Sequence, residues 1–144
     1  MKEVLEMTHE ALTEKIIAGA FKVHNVLGSG FLEKVYENAL LYELQRMGLR
    51  VRQQEPVKVY YEECLVGDFL ADLLVEDEVL VELKAGRGLT KEHEMQLVNY
   101  LKATKLEVGL LINFGHSVQV KRKMRVGLED KTEADSTNLE TGTT

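Results

Sequence analysis

The hydrophobic pattern changes three times along the chain. From about His9 to Leu27, the residues Leu12, Ile16, Ala20, Val23 and Leu27 recur in steps of three and four, the spacing of one helix face. Thr8 stands where an N-cap belongs, and residues 1–7 before it are expected to dock loosely. Gly28 fits a left-handed C′ residue. A second helical stripe runs from about Leu32 to Met47 through Leu32, Val35, Tyr36, Ala39, Leu40, Leu44 and Met47, with Gly48 closing it. The linker Gly28-Ser29-Gly30 is too short for a phosphate loop, lacks a suitably placed lysine and follows a helix rather than a strand. It is read as a helix–helix turn.

From Leu49 the period falls to two. Leu49–Glu55 and Val57–Tyr61 read as strand segments separated by Pro56, which marks a bend or a sheet edge. After a turn at Glu62-Glu63, Leu65–Val75 and Val79–Lys84 continue the sheet. Ala85–Leu89 is a loop, and Thr90 caps a third helix over about Lys91–Ala103. The continuous apolar run Val108–Phe114 predicts a buried strand, and Ser117–Arg125 a more exposed one. The order is α-α-β-β-β-β-α-β-β. A hairpin followed by a crossover helix into another strand predicts a mixed sheet with helices against its faces.

Charge interrupts this apolar pattern in one place. The hairpin Leu70–Lys84 (LADLLVEDEVLVELK) carries Asp72, Glu82 and Lys84 within its strands, and charges in a buried strand are costly unless paired or metal-bound. With a turn of Glu76-Asp77-Glu78, Asp72 faces Glu82 and Leu70 faces Lys84. Alternation then puts Leu70, Asp72, Leu74, Leu80, Glu82 and Lys84 on one face. Ala71, Leu73, Val75, Val79, Val81 and Leu83 form an apolar layer on the other. Opposed carboxylates repel, and a divalent cation with hard oxygen ligands is one remedy. Lys84 beside them completes a set of parts for metal-assisted phosphodiester hydrolysis. A buried ion-pair cluster without catalysis fits the same residues. A one-residue slip would also put Asp72 and Glu82 on opposite faces. On the third helix, Gln96 and Tyr100 share a face at i, i+4 and stand ready either to look onto the site or to pack and be solvated.

Composition changes the picture little. The 144 residues suit one domain over 1–126, with 127–144 an acidic tail expected to be disordered. That tail holds five acids against Lys131, a net −4, leaving −2 on the other 126 residues. The overall −6 therefore does not exclude a nucleic-acid partner. A single cysteine, Cys64, rules out an intrachain disulfide. No apolar run reaches 18 residues and the N-terminus has no signal-peptide core, so no membrane partner is expected and a cytoplasmic location is. The basic cluster Lys121-Arg122-Lys123-Met124-Arg125, with Lys102 and Lys105, offers either a nucleic-acid contact or a lysine-rich edge strand. No aromatic-rich basic stripe suggests stacking on single strands. Asp68 reads as a surface acid, His24 as a structural histidine and His93 as a cap residue.

Taken together, these residues resemble a known family. Asp72-x9-Glu82-x-Lys84 is similar to the signature of the PD-(D/E)XK nuclease superfamily, and Gln96-x3-Tyr100 to the QxxxY motif of its exonuclease-like branch. Gly30-Phe31-Leu32-Glu33-Lys34-Val35-Tyr36 resembles the GxxExxY motif of a small family within it. The usual proline before the aspartate is Ala71 here, which costs a central strand nothing. The resemblance, over about residues 14–122, implies a restriction-endonuclease-like α/β fold with an αβββαβ core, its mixed central sheet flanked by helices. It implies a Mg²⁺- or Mn²⁺-dependent nuclease acting on nucleic-acid phosphodiesters, DNA before RNA. Asp72, Glu82 and Glu33 would be metal ligands, Lys84 the catalytic lysine, and Gln96 and Tyr100 supporting or substrate-binding residues. A non-catalytic nucleic-acid- or protein-binding module that keeps this fold is the alternative. Dependence on a homodimer or a partner protein stays open.

Overall fold

The structure, a computed structural model, describes residues 9–127 and 138–140. Thr8 and most of the acidic tail lie outside the described residues. The elements are α1 (His9–Leu27), α2 (Glu33–Arg46), β1 (Val51–Tyr61), β2 (Cys64–Val75), β3 (Val79–Lys84), α3 (Lys91–Thr104), β4 (Val108–Phe114), β5 (Val118–Met124) and β6 (Asn138–Glu140). One six-stranded sheet runs in the order β1-β2-β3-β4-β5-β6. Only β3 and β4 are parallel, joined through α3; every other neighbouring pair is antiparallel. The run α2-β1-β2-β3-α3-β4 is the expected αβββαβ core in a mixed sheet.

Two apolar layers hold the sheet. Leu12, Ile16, Ala20 and Val23 of α1 and Tyr36, Leu40 and Leu44 of α2 pack with Leu73, Val75, Val79, Val81, Leu83, Leu110 and Ile112. On the other face, Leu97, Tyr100 and Leu101 of α3 pack with Val57, Ala71, Leu74, Leu80 and Leu111. Gly109 lets α3 sit this close. A Cβ there would lie 2.8 Å from Leu97 Cδ1 and 3.2 Å from the Leu80 carbonyl. Two residues of the predicted α2 stripe fall outside the core: Leu32 precedes the helix and is exposed, and Val35 is exposed as well. The buried face follows the i, i+4 row of Tyr36, Leu40 and Leu44.

The sheet departs from expectation in three places. Pro56 does not divide β1; it pairs with Leu70 inside one continuous strand. That strand is the edge of the sheet, so no further strand asks for the N–H that proline lacks. In the tail, Asn138–Glu140 pairs with Gln119–Lys121 of β5, where no element was expected. The third departure is the most consequential. The face alternation predicted for the whole hairpin holds from Leu73 onward but reverses before it. Leu73 lies in the α1/α2 layer, whereas Ala71, two residues earlier, lies in the α3 layer. The reversal coincides with Gln54 of β1, whose φ is +55°. Gln54 and Asp72 are left out of the ladder, between Gln53↔Leu73 and Glu55↔Ala71.

Candidate active site where two strands part

The hairpin register is the one the sequence predicts. Leu73 faces Val81, Leu74 faces Leu80 and Val75 faces Val79, with the turn centred on Asp77. At the next position the ladder stops and side chains take over. The Asp72 amide donates to Glu82 Oε2 at 3.0 Å, and the Leu83 amide donates to Asp72 Oδ2 at 2.7 Å. Each carboxylate thus stands where a partner carbonyl would have been. Beyond this point β2 continues along β1 to Cys64, while β3 continues along β4 to Lys84. The carboxylates sit in the cleft where the two strands separate.

Because the strand reverses its faces at Asp72, this cleft is felt from both layers. Glu82 is buried, and burial first, then the neighbouring Asp72 charge, pushes its pKa up to about 8. Burial also raises Asp72, to about 6, with Glu37 and Glu33 of α2 adding repulsion and Lys84 and the Leu83 amide opposing it. From the other layer, Tyr100 of α3 is raised by burial and by the charges of Glu82 and Asp72. The two carboxyls titrate as a pair, both above the ordinary carboxylate range.

Lys84, two residues after Glu82, supplies the countercharge. It lowers the pKa of both carboxyls and of Glu33. Glu33, first residue of α2, is nevertheless raised, because burial outweighs Lys84. Gln96 Nε2 donates to the Tyr100 hydroxyl at 2.6 Å, so the i, i+4 pair is a real one, with Tyr100 buried among the α3 layer. The structure therefore brings Asp72 and Glu82 into contact, places Lys84 and Glu33 within electrostatic reach, and sets the Gln96–Tyr100 pair on the opposite side.

Among the described residues, no three His, Cys, Asp or Glu side chains gather closely enough to cage a metal alone. What fits is a smaller donor set. Asp72 and Glu82 each use one oxygen on a backbone amide, and each keeps a second oxygen. Two carboxylates, with water and phosphate filling the other positions, is how Mg²⁺ is commonly held.

Three further residues shape the site. Glu37, buried on α2, accepts from Gln53 Nε2 and Gln54 Nε2, both at 2.9 Å, and pairs with Lys34 at 3.0 Å. It ties α2 to the reversal point of β1. Its signal was present in the sequence: it lies at i+4 from Glu33, on the same helix face. Asn113 is fully buried. It accepts from the Gly86 amide at 2.9 Å and donates to the Gly86 carbonyl at 3.0 Å, fixing the loop after Lys84. A polar residue within the run Val108–Phe114 was its only mark. Gln53, adjacent to Gln54, also donates to Asn38.

The other residues sort plainly. His93 closes a reciprocal capping box with Thr90 at 3.1 Å in both directions. His24 bonds the Gly115 carbonyl at 2.9 Å, and Asp68 pairs with Lys58 at 3.3 Å on the surface. Lys121 and Lys123 turn to Glu94 of α3, at 3.3 and 2.9 Å, so half of the basic cluster serves a helix–sheet contact. No helix among the described residues is long and apolar enough to cross a membrane.

No curated protein and no solved structure matches the chain. A family model does, over residues 10–126, and its description is that of the PD-(D/E)XK nuclease superfamily. The match spans every element of the core and all the residues gathered at the parting strands: the chain belongs to the PD-(D/E)XK nuclease superfamily.

Proposed function

We propose that the protein is a divalent-metal-dependent nuclease that hydrolyses nucleic-acid phosphodiesters, with DNA its preferred substrate. The observation that carries this reading is the Asp72–Glu82 pair, a half-buried and a buried carboxylate, each held by a backbone amide of the other strand where β2 and β3 part, with Lys84 two residues after Glu82. Membership of the superfamily supports it.

In this reading Asp72 and Glu82 would hold Mg²⁺ or Mn²⁺, and Glu33 would assist from α2. Bound there, such an ion would supply Lewis-acid chemistry for phosphodiester hydrolysis. The chain's own residues do the rest. The backbone amides of Asp72 and Leu83 fix the two carboxylates, so their free oxygens are aimed before substrate arrives. Lys84 orients the attacking water and offsets charge that develops on the phosphate. Tyr100, held by Gln96, offers its hydroxyl to the phosphate from the α3 side. Glu33, raised above its ordinary range, is suited to take a proton from the water.

A second reading has one observation in its favour. Each carboxylate already has a structural duty, since it replaces a missing ladder bond between β2 and β3. A non-catalytic binding module would keep the pair for that reason alone.

Purified protein incubated with single- and double-stranded DNA and RNA, with Mg²⁺, with Mn²⁺ and with chelator, separates the two. Cleavage that needs the metal and is lost in both Asp72→Asn and Lys84→Ala is expected. Cleavage unchanged in both variants, or no metal-dependent cleavage of any substrate, sinks the catalytic reading.

A further inference from the structure

The β1–β2 hairpin is longer than the sheet behind it. Beyond Asp72, residues Cys64–Ala71 pair with β1 alone, and the arm projects past the cleft. Its surface is unusually apolar for an exposed ribbon: Tyr60, Tyr61, Leu65, Val66, Phe69 and Leu70 are all exposed. Between this arm and α3 runs a groove of about 1100 Å³.

The groove combines two kinds of lining. Tyr60 and Phe69 from the arm meet Tyr100 from α3, and the Phe69 and Tyr100 rings lie 5.8 Å apart. Lys58, Lys102 and Lys105 line the same groove. Lys58 also touches Asp68 across the arm, and Glu92 is the acid within the lining. Three cations against one acid make the groove positive in a chain that is acidic overall. These residues come from three separate elements, which is why no aromatic and basic stripe is visible along the sequence.

The groove also leads to the cleft. Tyr100 belongs to both: it lines the groove, and it packs in one cluster with Ala71, next to Asp72, and Leu80, two residues before Glu82. Flat aromatic faces beside cations suit a chain with exposed bases and a phosphate backbone. A duplex hides its base faces and has no use for Tyr60 and Phe69.

We propose that this groove binds an unpaired polynucleotide strand, stacking bases on Tyr60 and Phe69, pairing phosphates with Lys58, Lys102 and Lys105, and delivering the strand past Tyr100 to Asp72 and Glu82. The proposal rests on the nuclease reading for the fate of the strand but not for its binding.

Binding is therefore measured with chelator present, by fluorescence anisotropy of a labelled oligodeoxynucleotide, the same sequence as RNA, and the DNA duplex. Either single strand is expected to bind at least about tenfold tighter than the duplex, and the RNA arm tells which sugar is preferred. Tyr60→Ala, at an exposed position, is expected to weaken single-strand binding about tenfold, the scale of one lost base stack. Lys102→Glu with Lys105→Gln should also lower the slope of log affinity against log salt by about 1.4, at roughly 0.7 per phosphate contact. A duplex bound as tightly as the single strands, or unchanged binding and salt slope in variants with wild-type circular dichroism, overturns the proposal. Cleavage in Mg²⁺ is scored separately. Groove-dependent binding without cleavage removes the nuclease reading and leaves the groove, whereas cleavage with duplex-preferring binding does the reverse.

Discussion

Gln54 and Asp72 face each other across β1 and β2 at the one point where both strands reverse their faces. Gln54 has φ of +55°, and neither residue takes part in the ladder on either side of it. Val51 and Leu73 belong to the α1/α2 layer, while Val57 and Ala71 belong to the α3 layer. Without this reversal Asp72 would point into one face. With it, the Asp72 carboxylate lies between strands and reaches the Leu83 amide.

The backbone at Gln54 can therefore be tested apart from its side chain. Left-handed φ is easy for glycine and costs L-residues about 1–2 kcal/mol. Gln54→Gly is expected to keep the reversal, losing only the bond to Glu37. Gln54→Ile is expected to destabilise by roughly 2 kcal/mol more than Gln54→Gly, because β-branching resists left-handed φ. Chemical denaturation of both variants checks this. Equal stabilities would mean that position 54 does not set the reversal.

The Asp72–Glu82 pair predicts an inverted pH dependence. Both carboxyls have folded pKa values above their unfolded ones, to about 6 and about 8. Between the unfolded carboxyl range and pH 8, the unfolded chain binds fewer protons than the folded one, so the stability of the metal-free protein falls as pH rises. Below the unfolded pKa values both states are protonated and the penalty vanishes. Glu82→Gln removes the charge and keeps an oxygen for the Asp72 amide. It is expected to raise the metal-free Tm by several degrees at pH 8, with little change at pH 5, while abolishing cleavage. Millimolar Mg²⁺ should raise the wild-type Tm more at pH 8 than at pH 6, because metal and protons compete for the same oxygens. Thermal melts across that range decide it. A Mg²⁺ effect that is independent of pH and intact in Glu82→Gln would place the ion elsewhere.

How much of this was legible depended on distance along the chain. The hairpin register follows from local alternation and a three-residue turn, and the structure has it from Val75↔Val79 to Leu73↔Val81; beyond that the strands part, so Leu70 pairs with Pro56 and Lys84 with Asn113 rather than with each other. The helices, with their i, i+4 rows, were equally local. The reversal at Asp72 was not legible, because it depends on a backbone torsion in another strand, at Gln54, and a polar glutamine gives no sign of it. Leu70 was accordingly assigned to the face of Leu74, and Ala71, its neighbour, proves to be the one there. Glu37 and Asn113 were missed for a different reason. Each is a single buried polar residue, and only its partners, Gln53 and Gln54 for one and Gly86 for the other, reveal what it does.

Glu37 predicts a split between charge and anchoring. It is buried and accepts two glutamine side chains, and its charge also raises Asp72 and Glu33. Glu37→Ala removes the acceptor of Gln54 and one of the two acceptors of Gln53, which keeps Asn38, and is expected to cost about 1–3 kcal/mol. Glu37→Gln keeps one acceptor oxygen and should cost less than half as much. Its clearer effect is electrostatic: with one fewer negative charge nearby, the Asp72 titration moves to lower pH. Carbon-13 NMR of labelled aspartate follows that midpoint. A midpoint unmoved in Glu37→Gln would show that the two carboxyls are not electrostatically coupled.

The loop that follows Lys84 is held by Asn113, and it tolerates no extra bulk. Both polar ends of Asn113 are used on Gly86. A Cβ on Gly115 would stand 2.5 Å from the Gly86 carbonyl oxygen and 2.9 Å from Asn113 Nδ2. Gly115→Ala must therefore push the Gly86 backbone away, and Lys84, two residues before Gly86, is displaced with it. Asn113→Leu keeps a similar volume but removes both bonds to Gly86 and the bond to Gln119, leaving the Gly86 amide and carbonyl without their Asn113 partners. Both variants are expected to fold, with a loss of about 1–3 kcal/mol. Both should raise hydrogen exchange at the Gly86 amide by at least about tenfold and reduce cleavage in step with it. Displacement of Lys84 affects charge stabilisation rather than strand binding, so the loss should fall on kcat with KM nearly unchanged. A variant whose Gly86 amide exchanges freely while kcat stays at the wild-type value would show that the position of Lys84 does not depend on this clamp.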